Sequence, residues 1–148
     1  DAQVFDDTAA RIRSVATIHR LLTNGEDRVD ARALLEGIAE GAPVPIAIRT
    51  DSASLDASTA QKLGVVANEL ITNAFQHGEP PIEVRLHGER RIRLDVDDRG
   101  PGPDGEGAGL GLRLVRQVVE QALGGRFELA VLPGGGTRAE VVLPEQAR

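Results

Sequence analysis

Three polar side chains, Glu69, Asn73 and His77, follow one another at four-residue spacing inside the apolar stretch 63–77. On a helix that spacing sets them in one row. A carboxylate in such a row can polarise a water or a hydroxyl. An amide oxygen one turn later is a hard ligand suited to Mg²⁺, which keeps most of its waters and completes its shell with substrate phosphates. Three polar groups beside an apolar face are costly to keep unless something binds there. Alone, the row reads more simply as the solvated edge of an amphipathic helix.

Three further motifs follow. Asp98-Arg-Gly-Pro-Gly102 comes directly after an alternating run. A carboxylate at a strand end can accept the exocyclic amine of a base, and the glycines let backbone approach a flat ring or a phosphate. Gly107-Ala-Gly-Leu-Gly-Leu112 opens a helical pattern. Glycines there bare the first N–H groups of the helix, where the dipole favours an anion. No Lys follows, so this is not a Walker A loop, and Leu112 stands where the dinucleotide fingerprint needs Gly or Ala. Gly136-Thr137 places a hydroxyl at a strand start. Each motif has an ordinary reading: an acidic turn, a hinge before a helix, a β-branched strand residue.

The elements that must position these residues can be read from periodicity. At ~100° per residue, Leu63, Val66, Ala67, Leu70, Ile71 and Ala74 share one arc, so the central helix buries that arc. Asp56 or Ser58 caps it, and Gly78-Glu-Pro-Pro81 breaks it. Upstream, 4–22 has helical spacing, Asn24-Gly25 stops it, and Asp30 caps a second helix over 31–40 with Leu34, Leu35 and Ile38 facing in. Residues 46–50 read as a short strand and 52–58 as a polar loop. Ile82–Leu86 and Ile92–Val96 alternate apolar and charged residues around a tight turn, predicting a hairpin with one buried and one wet face. Gly109 to Leu123 reads as a helix with Leu110, Leu114, Val115, Val118 and Leu123 on the core side, followed by a hairpin over 126–132 and 137–143. The pattern is α+β: a two-layer α/β sandwich with helices on one face of a mixed, mostly antiparallel sheet.

The 148 residues suffice for one sizeable core. A net charge of −6, with 17 basic residues that form no run, argues against a nucleic-acid groove. With three Phe, no Trp and no Tyr, there is no platform for stacking bases. The absence of Cys removes disulfides and thiolate chemistry and fits a reducing compartment. No apolar run is long enough to span a bilayer, and no signal-peptide pattern opens the chain. The expected location is therefore cytoplasmic, with a membrane anchor left open for a full-length protein.

In this order and context the four motifs resemble the ATP-binding domain of the GHKL superfamily, which includes gyrase, the heat-shock chaperone, histidine kinases and the mismatch-repair ATPases. Asn68–His77 resembles the N box, Asp98–Gly102 the G1 box, Gly107–Leu112 the G2 box and Gly136-Thr137 the terminal threonine position. The likeness covers residues 44–143. Residues 8–40 resemble, more loosely, the second dimerisation helix of HWE-like sensor histidine kinases and their close relatives. The resemblance implies a Bergerat-type sandwich over 43–148, preceded by a helical segment, 1–42, from the end of a dimerisation region. It implies ATP and Mg²⁺ as cofactors, with Asp98 taking the adenine amine and Gly100 and Gly102 lining the base. Asn73 would hold Mg²⁺, and Glu69 would stand where the superfamily places its general base. Gly109, Leu110 and Gly111 would offer N–H groups to phosphates, flanked by Gly107 and Leu112, and Thr137 would help hold the adenine. His77 ends the row, equally suited to a phosphate contact or to a helix-end role.

The implied activity is transfer of the γ-phosphoryl of Mg-ATP to a His on a dimerisation helix upstream of this sequence. The implied partners are that His-bearing domain and a response regulator, with no nucleic acid, and helix 4–22 has apolar surface enough for a homodimer. His19, on that helix face, reads as a seam residue, and His87 as a solvated turn residue. Two departures stand out. Gln76 occupies the position where many kinases carry a basic residue, and the lid Pro103-Asp-Gly-Glu106 is short and lacks a cation for the γ-phosphate, leaving Arg99 or Arg113 as substitutes. The alternatives are an anti-sigma-factor-like Ser/Thr kinase and a non-catalytic nucleotide-binding regulatory module.

Overall fold

The computed structural model describes Ala16, residues 28–101 and residues 109–146. Of the expected helix 4–22 only Ala16 is among them, and it is helical. His19, Gly102, Gly107 and the lid 103–106 lie outside the described residues.

The elements run β1 (Arg28–Asp30), α1 (Ala31–Ala39), β2 (Ile46–Thr50), β3 (Ser54–Asp56), α2 (Ala57–His77), β4 (Ile82–His87), β5 (Arg93–Asp98), α3 (Gly109–Gln117), a π-helical turn (Val118–Ala122), β6 (Arg126–Val131) and β7 (Thr137–Val142). Five strands form one sheet in the order β2-β4-β5-β7-β6. β2 pairs with β4 in parallel, and every other pairing in that sheet is antiparallel. Helices cover one face, as the alternation of β4 and β5 requires: Ile82, Val84, Leu86, Leu94 and Val96 are all buried on that side.

The helix starts are set by capping. Asp30 accepts from Ala33 N–H at 3.3 Å and Asp56 from Thr59 N–H at 2.6 Å, each meeting a donor that the first helical turn leaves open. The Thr59 bond draws the Asp56 carboxyl below its ordinary value. All six residues of the expected arc on α2 are buried. Asn68 and Thr72 are buried too, because α1 packs along the other flank of α2 and brings Leu34, Leu35 and Ile38 into the same core.

Three sequence expectations change. The stretch read as a polar loop, 52–58, contains β3, which pairs antiparallel with β1 as a separate two-stranded sheet and buries Ala53 and Leu55. The inward residues are Leu112 and Val115 on α3 and Val119 in the π turn, while Leu114 is 37% exposed. Leu114 is two positions from Leu112, roughly 200° around a helix, so the two cannot face the same core. The helix closes through the π turn, where Leu123 N–H reaches Val118 O at 2.9 Å.

The third change concerns the outer face of the sheet, which is not wet at its centre. Asp95 and Asp97 are buried, with Asp95 at 1% exposure. Arg138 Nε and Nη2 fork onto both oxygens of Asp97 at 2.9 Å, Arg85 adds a bond to Asp97 at 3.0 Å, and Arg93 bridges Asp95 and Glu140 at 3.1 Å each. The Asp97 hydrogen bond is the main cause that lifts the Arg138 guanidinium above its ordinary value. Long arginine stems thus roof the acids where a second layer of helices would otherwise be needed. Arg138→Ala strips Asp97 of its forked partner and is expected to cost about 2 kcal/mol of unfolding free energy, read by urea titration.

Candidate functional site

Helix α2 carries the polar row down one side, and burial falls along it. Glu69 is buried, Asn73 is half-buried and His77 is exposed in the last turn. From Glu69 to His77 is eight residues, a rise of about 12 Å at 1.5 Å per residue. A different segment of the chain closes on each end of this row.

At the buried end, α3 packs against α2. A Cβ placed on Gly111 would lie 3.0 Å from Glu69 Oε2, so the bare backbone of the α3 start rests on that carboxylate. Gly109 is the first residue of α3 and Leu110 the second, which puts their backbone N–H groups at the positive end of the helix dipole. Leu112 turns its side chain into the core.

At the other end, α2 stops at His77 and Gly78 meets the end of β5. A Cβ on Gly78 would fall inside the Asp98 carboxyl group, and one on Gly100 would come 2.8 Å from Gly78 Cα. Asp98 is 7% exposed. Its Oδ1 accepts from Gly100 N–H at 2.8 Å. Arg99 N–H donates to Glu79 O at 2.8 Å, tying the strand end to the turn that follows α2. Thr137, half-buried, stands opposite Asp98 in the β5–β7 register. Gly136, at φ +109°, presses its bare Cα against the Asp98 carbonyl, a position and conformation closed to other residues.

The structure thus brings Glu69 to Gly111 and Asp98 to Gly100 and Thr137, with Asn73 between the two groups on α2. Arg99 and Arg113 are exposed, and Gln76 is half-buried. His87 is exposed, with Nε2 3.7 Å from Asp95 Oδ2. Among the described residues no group of three His, Cys, Asp or Glu could hold a metal ion. Spacing alone missed Gly78 and Glu79, and it singled out Gly136 only as the neighbour of Thr137. Gly78 read only as a helix stop, and its place against Asp98 depends on where α2 ends relative to β5.

Burial is the main cause that raises the Asp98 carboxyl above its ordinary value; the Gly100 and Glu79 N–H groups oppose it, and the nearby charges of Asp97 and Glu79 add to it. The folded chain therefore keeps this proton to higher pH than the unfolded chain does. The cost of burying the charge is absent below the unfolded carboxylate's range and complete above the raised value. Asp98→Asn removes that cost in nearly the same shape. Its unfolding temperature without nucleotide should exceed the parent's at pH 7, and the gap should close as pH falls through the raised range; a scanning-calorimetry series in pH checks it.

Residues 58–147 match the family model described as histidine kinase-, DNA gyrase B- and HSP90-like ATPase. Among solved structures, the histidine kinase domain of a blue-light activated histidine kinase, EL346, from Erythrobacter litoralis is similar at 23% identity and TM-score 0.78, over 94% of this chain and 75% of that one. The mycobacterial sensor histidine kinase MprB is similar at 22% identity and TM-score 0.64, over 82% and 98%. The histidine kinase domain of the Escherichia coli osmosensor EnvZ is similar at 20% identity and TM-score 0.64, over 82% and 90%. No curated protein sequence matches the chain. No helix among the described residues is long and apolar enough to cross a membrane. The structural likenesses establish a shared fold, and the family match spans more than half of the sequence: the chain belongs to the histidine kinase-, DNA gyrase B- and HSP90-like ATPases.

Proposed function

We propose that the chain is the ATP-binding catalytic part of a sensor histidine kinase, and that it moves the γ-phosphoryl of Mg-ATP to a histidine of a dimerisation domain. A response regulator would then take the phosphoryl. The observation that carries this reading is the row on α2 with a close backbone approach at each end, Asp98 at one and the α3 start at the other.

In this reading the adenine amine donates to Asp98, with Gly100 and Gly102 along the ring and Thr137 across the strand pair. The N–H groups of Gly109, Leu110, Gly111 and Leu112, with Gly107 before them, receive the phosphates. His77, exposed at the end of the row, stays at the helix end. Asn73 holds the Mg²⁺, which when bound neutralises charge on the phosphate oxygens. Glu69 takes the imidazole proton as the new N–P bond forms, the bond from the γ-phosphorus to its bridging oxygen breaks, and ADP leaves. Most of the acceleration comes from positioning and charge neutralisation.

Gln76 supports the second reading, a non-catalytic nucleotide-binding module, since it adds no cation three residues after Asn73. An anti-sigma-factor-like Ser/Thr kinase is the third. Asp98→Asn replaces an acceptor with a mismatched donor and should cost about 1–3 kcal/mol of ATP affinity by calorimetry. Unchanged affinity would sink the base assignment. Asn73→Ala should abolish Mg²⁺-dependent transfer of labelled phosphoryl to a dimerisation domain supplied in trans, while nucleotide binding persists. An acid-labile, base-stable product marks phosphohistidine, the reverse a phosphoserine, and no product in the parent chain the binding module.

A further inference from the structure

Glycine at position 78 is more than a helix stop. The place its side chain would take is filled by the Asp98 carboxyl group, and the same Cβ would press on Ala74 O at 2.6 Å. Gly100 closes on Gly78 from the other side, where even a methyl would come 2.8 Å from Gly78 Cα. The turn, which leads from α2 into β4, is stitched to α2 and to the end of β5: Gly78 N–H donates to Ala74 O at 3.0 Å, ending α2, and Glu79 O accepts from Arg99 N–H at 2.8 Å, holding the residue after Asp98. The Asp98 carboxyl is thus wedged between two bare Cα atoms with a backbone donor, Gly100 N–H, on Oδ1.

We propose that Gly78 and the turn it opens are the base-specificity element of the site, positioning residues that hold the Asp98 carboxylate in the one place from which it can discriminate purines by their 6-substituent. The inference rests on the reading of Asp98 as the adenine acceptor. The chemistry is direct. A fixed carboxylate accepts from a 6-amino group, repels a 6-carbonyl and is left without a partner by a purine bearing only hydrogen there. A site built to pair one polar group rejects the analogue lacking it far more strongly than an adaptable site does. That rejection holds only while the acceptor cannot move away to water, and the wedge denies it that freedom.

The experiment compares ATP with the triphosphate of unsubstituted purine riboside, which lacks only the 6-amino group, by calorimetry on the whole chain and on Gly78→Ala. The parent should prefer ATP by roughly tenfold or more, the worth of one hydrogen bond to a charged acceptor. Gly78→Ala, checked for folding by its melting transition, should bind the two alike, to within about twofold, because its carboxylate has been pushed aside. A folded Gly78→Ala that keeps the parent's preference overturns the inference and leaves the Asp98 reading intact. A parent with no preference overturns the Asp98 reading and the inference with it. Thermal melts of Gly78→Ala, Asp98→Ala and the double variant supply a separate readout. The Gly78→Ala loss should shrink once the carboxyl is gone, and equal losses in both backgrounds mean the two residues are uncoupled and overturn it. Should Gly78→Ala fail to fold by itself, folding of the double variant supports the wedge and its failure overturns it.

Discussion

A carboxylate taken out of water must be surrounded by donors or it will not stay ionised, and Asp98 sets that demand on the structure around it. It stands at the end of β5, buried, with Gly100 N–H on Oδ1. For it to be there, α2 has to end at His77, the next residue has to lack a side chain, and β7 has to begin with a backbone that can lie flat on the Asp98 carbonyl. Glycines at 78, 100 and 136 satisfy those demands from three separate parts of the chain. The raised proton affinity of the acid shows that they do so incompletely. The site keeps a group that the empty fold would be more stable without, as groups that bind ligands commonly are.

Much of this was legible in the sequence, and the reasons differ by element. The arc on α2 could be read because a long helix with a wide apolar face repeats its signal, here over about three turns from Leu63 to Ala74. Asp30 was legible as a cap because its side chain acts on a backbone donor three residues away, and Asp56 was one of two candidates for the same reason. The first hairpin was plain from alternation, the second from the Pro133-Gly-Gly-Gly136 turn between its strands. The pair β1–β3 was not, because three residues are too few to show a period of two, and their partners lie 24 to 28 positions apart. Leu114 was misplaced because α3 is short and leucine-rich, so that several faces look apolar and only docking against α2 chooses among them.

The site was legible as residue types and was not legible as distances. Glu69, Asn73, Asp98 and the glycines of the α3 start stood out as candidates by type and spacing, and only the resemblance of the four motifs together implied roles for them. That Gly111 lies on Glu69, or Gly78 on Asp98, follows from how helix and strand ends meet, which no local pattern carries. The burial of Asp95 and Asp97 was hidden for a related reason: each charged residue looks solvated until its cross-strand neighbours are known, and those neighbours are arginines.

Asp97 and Asp98 are adjacent on β5 and point to opposite faces of the sheet, one into the arginine roof and the other into the glycine wedge. A strand that slips by one residue exchanges its faces. For most strands such an error trades an apolar side chain for a polar one. Here a slip in one direction would set Asp98 in the place of Asp97, among the guanidinium groups of Arg85 and Arg138, so that the arginine roof alone would not resist it, while Asp97 would enter the place of Val96 in the core. The task of refusing it falls to their neighbours: Val96 and Leu94 would be driven into the charged layer, and Arg93 and Asp95 into the core. The arginine roof is thus a blind spot in the alignment of the central strand, and the alternating residues that precede the acidic pair are the ruler by which the Asp98 end is set.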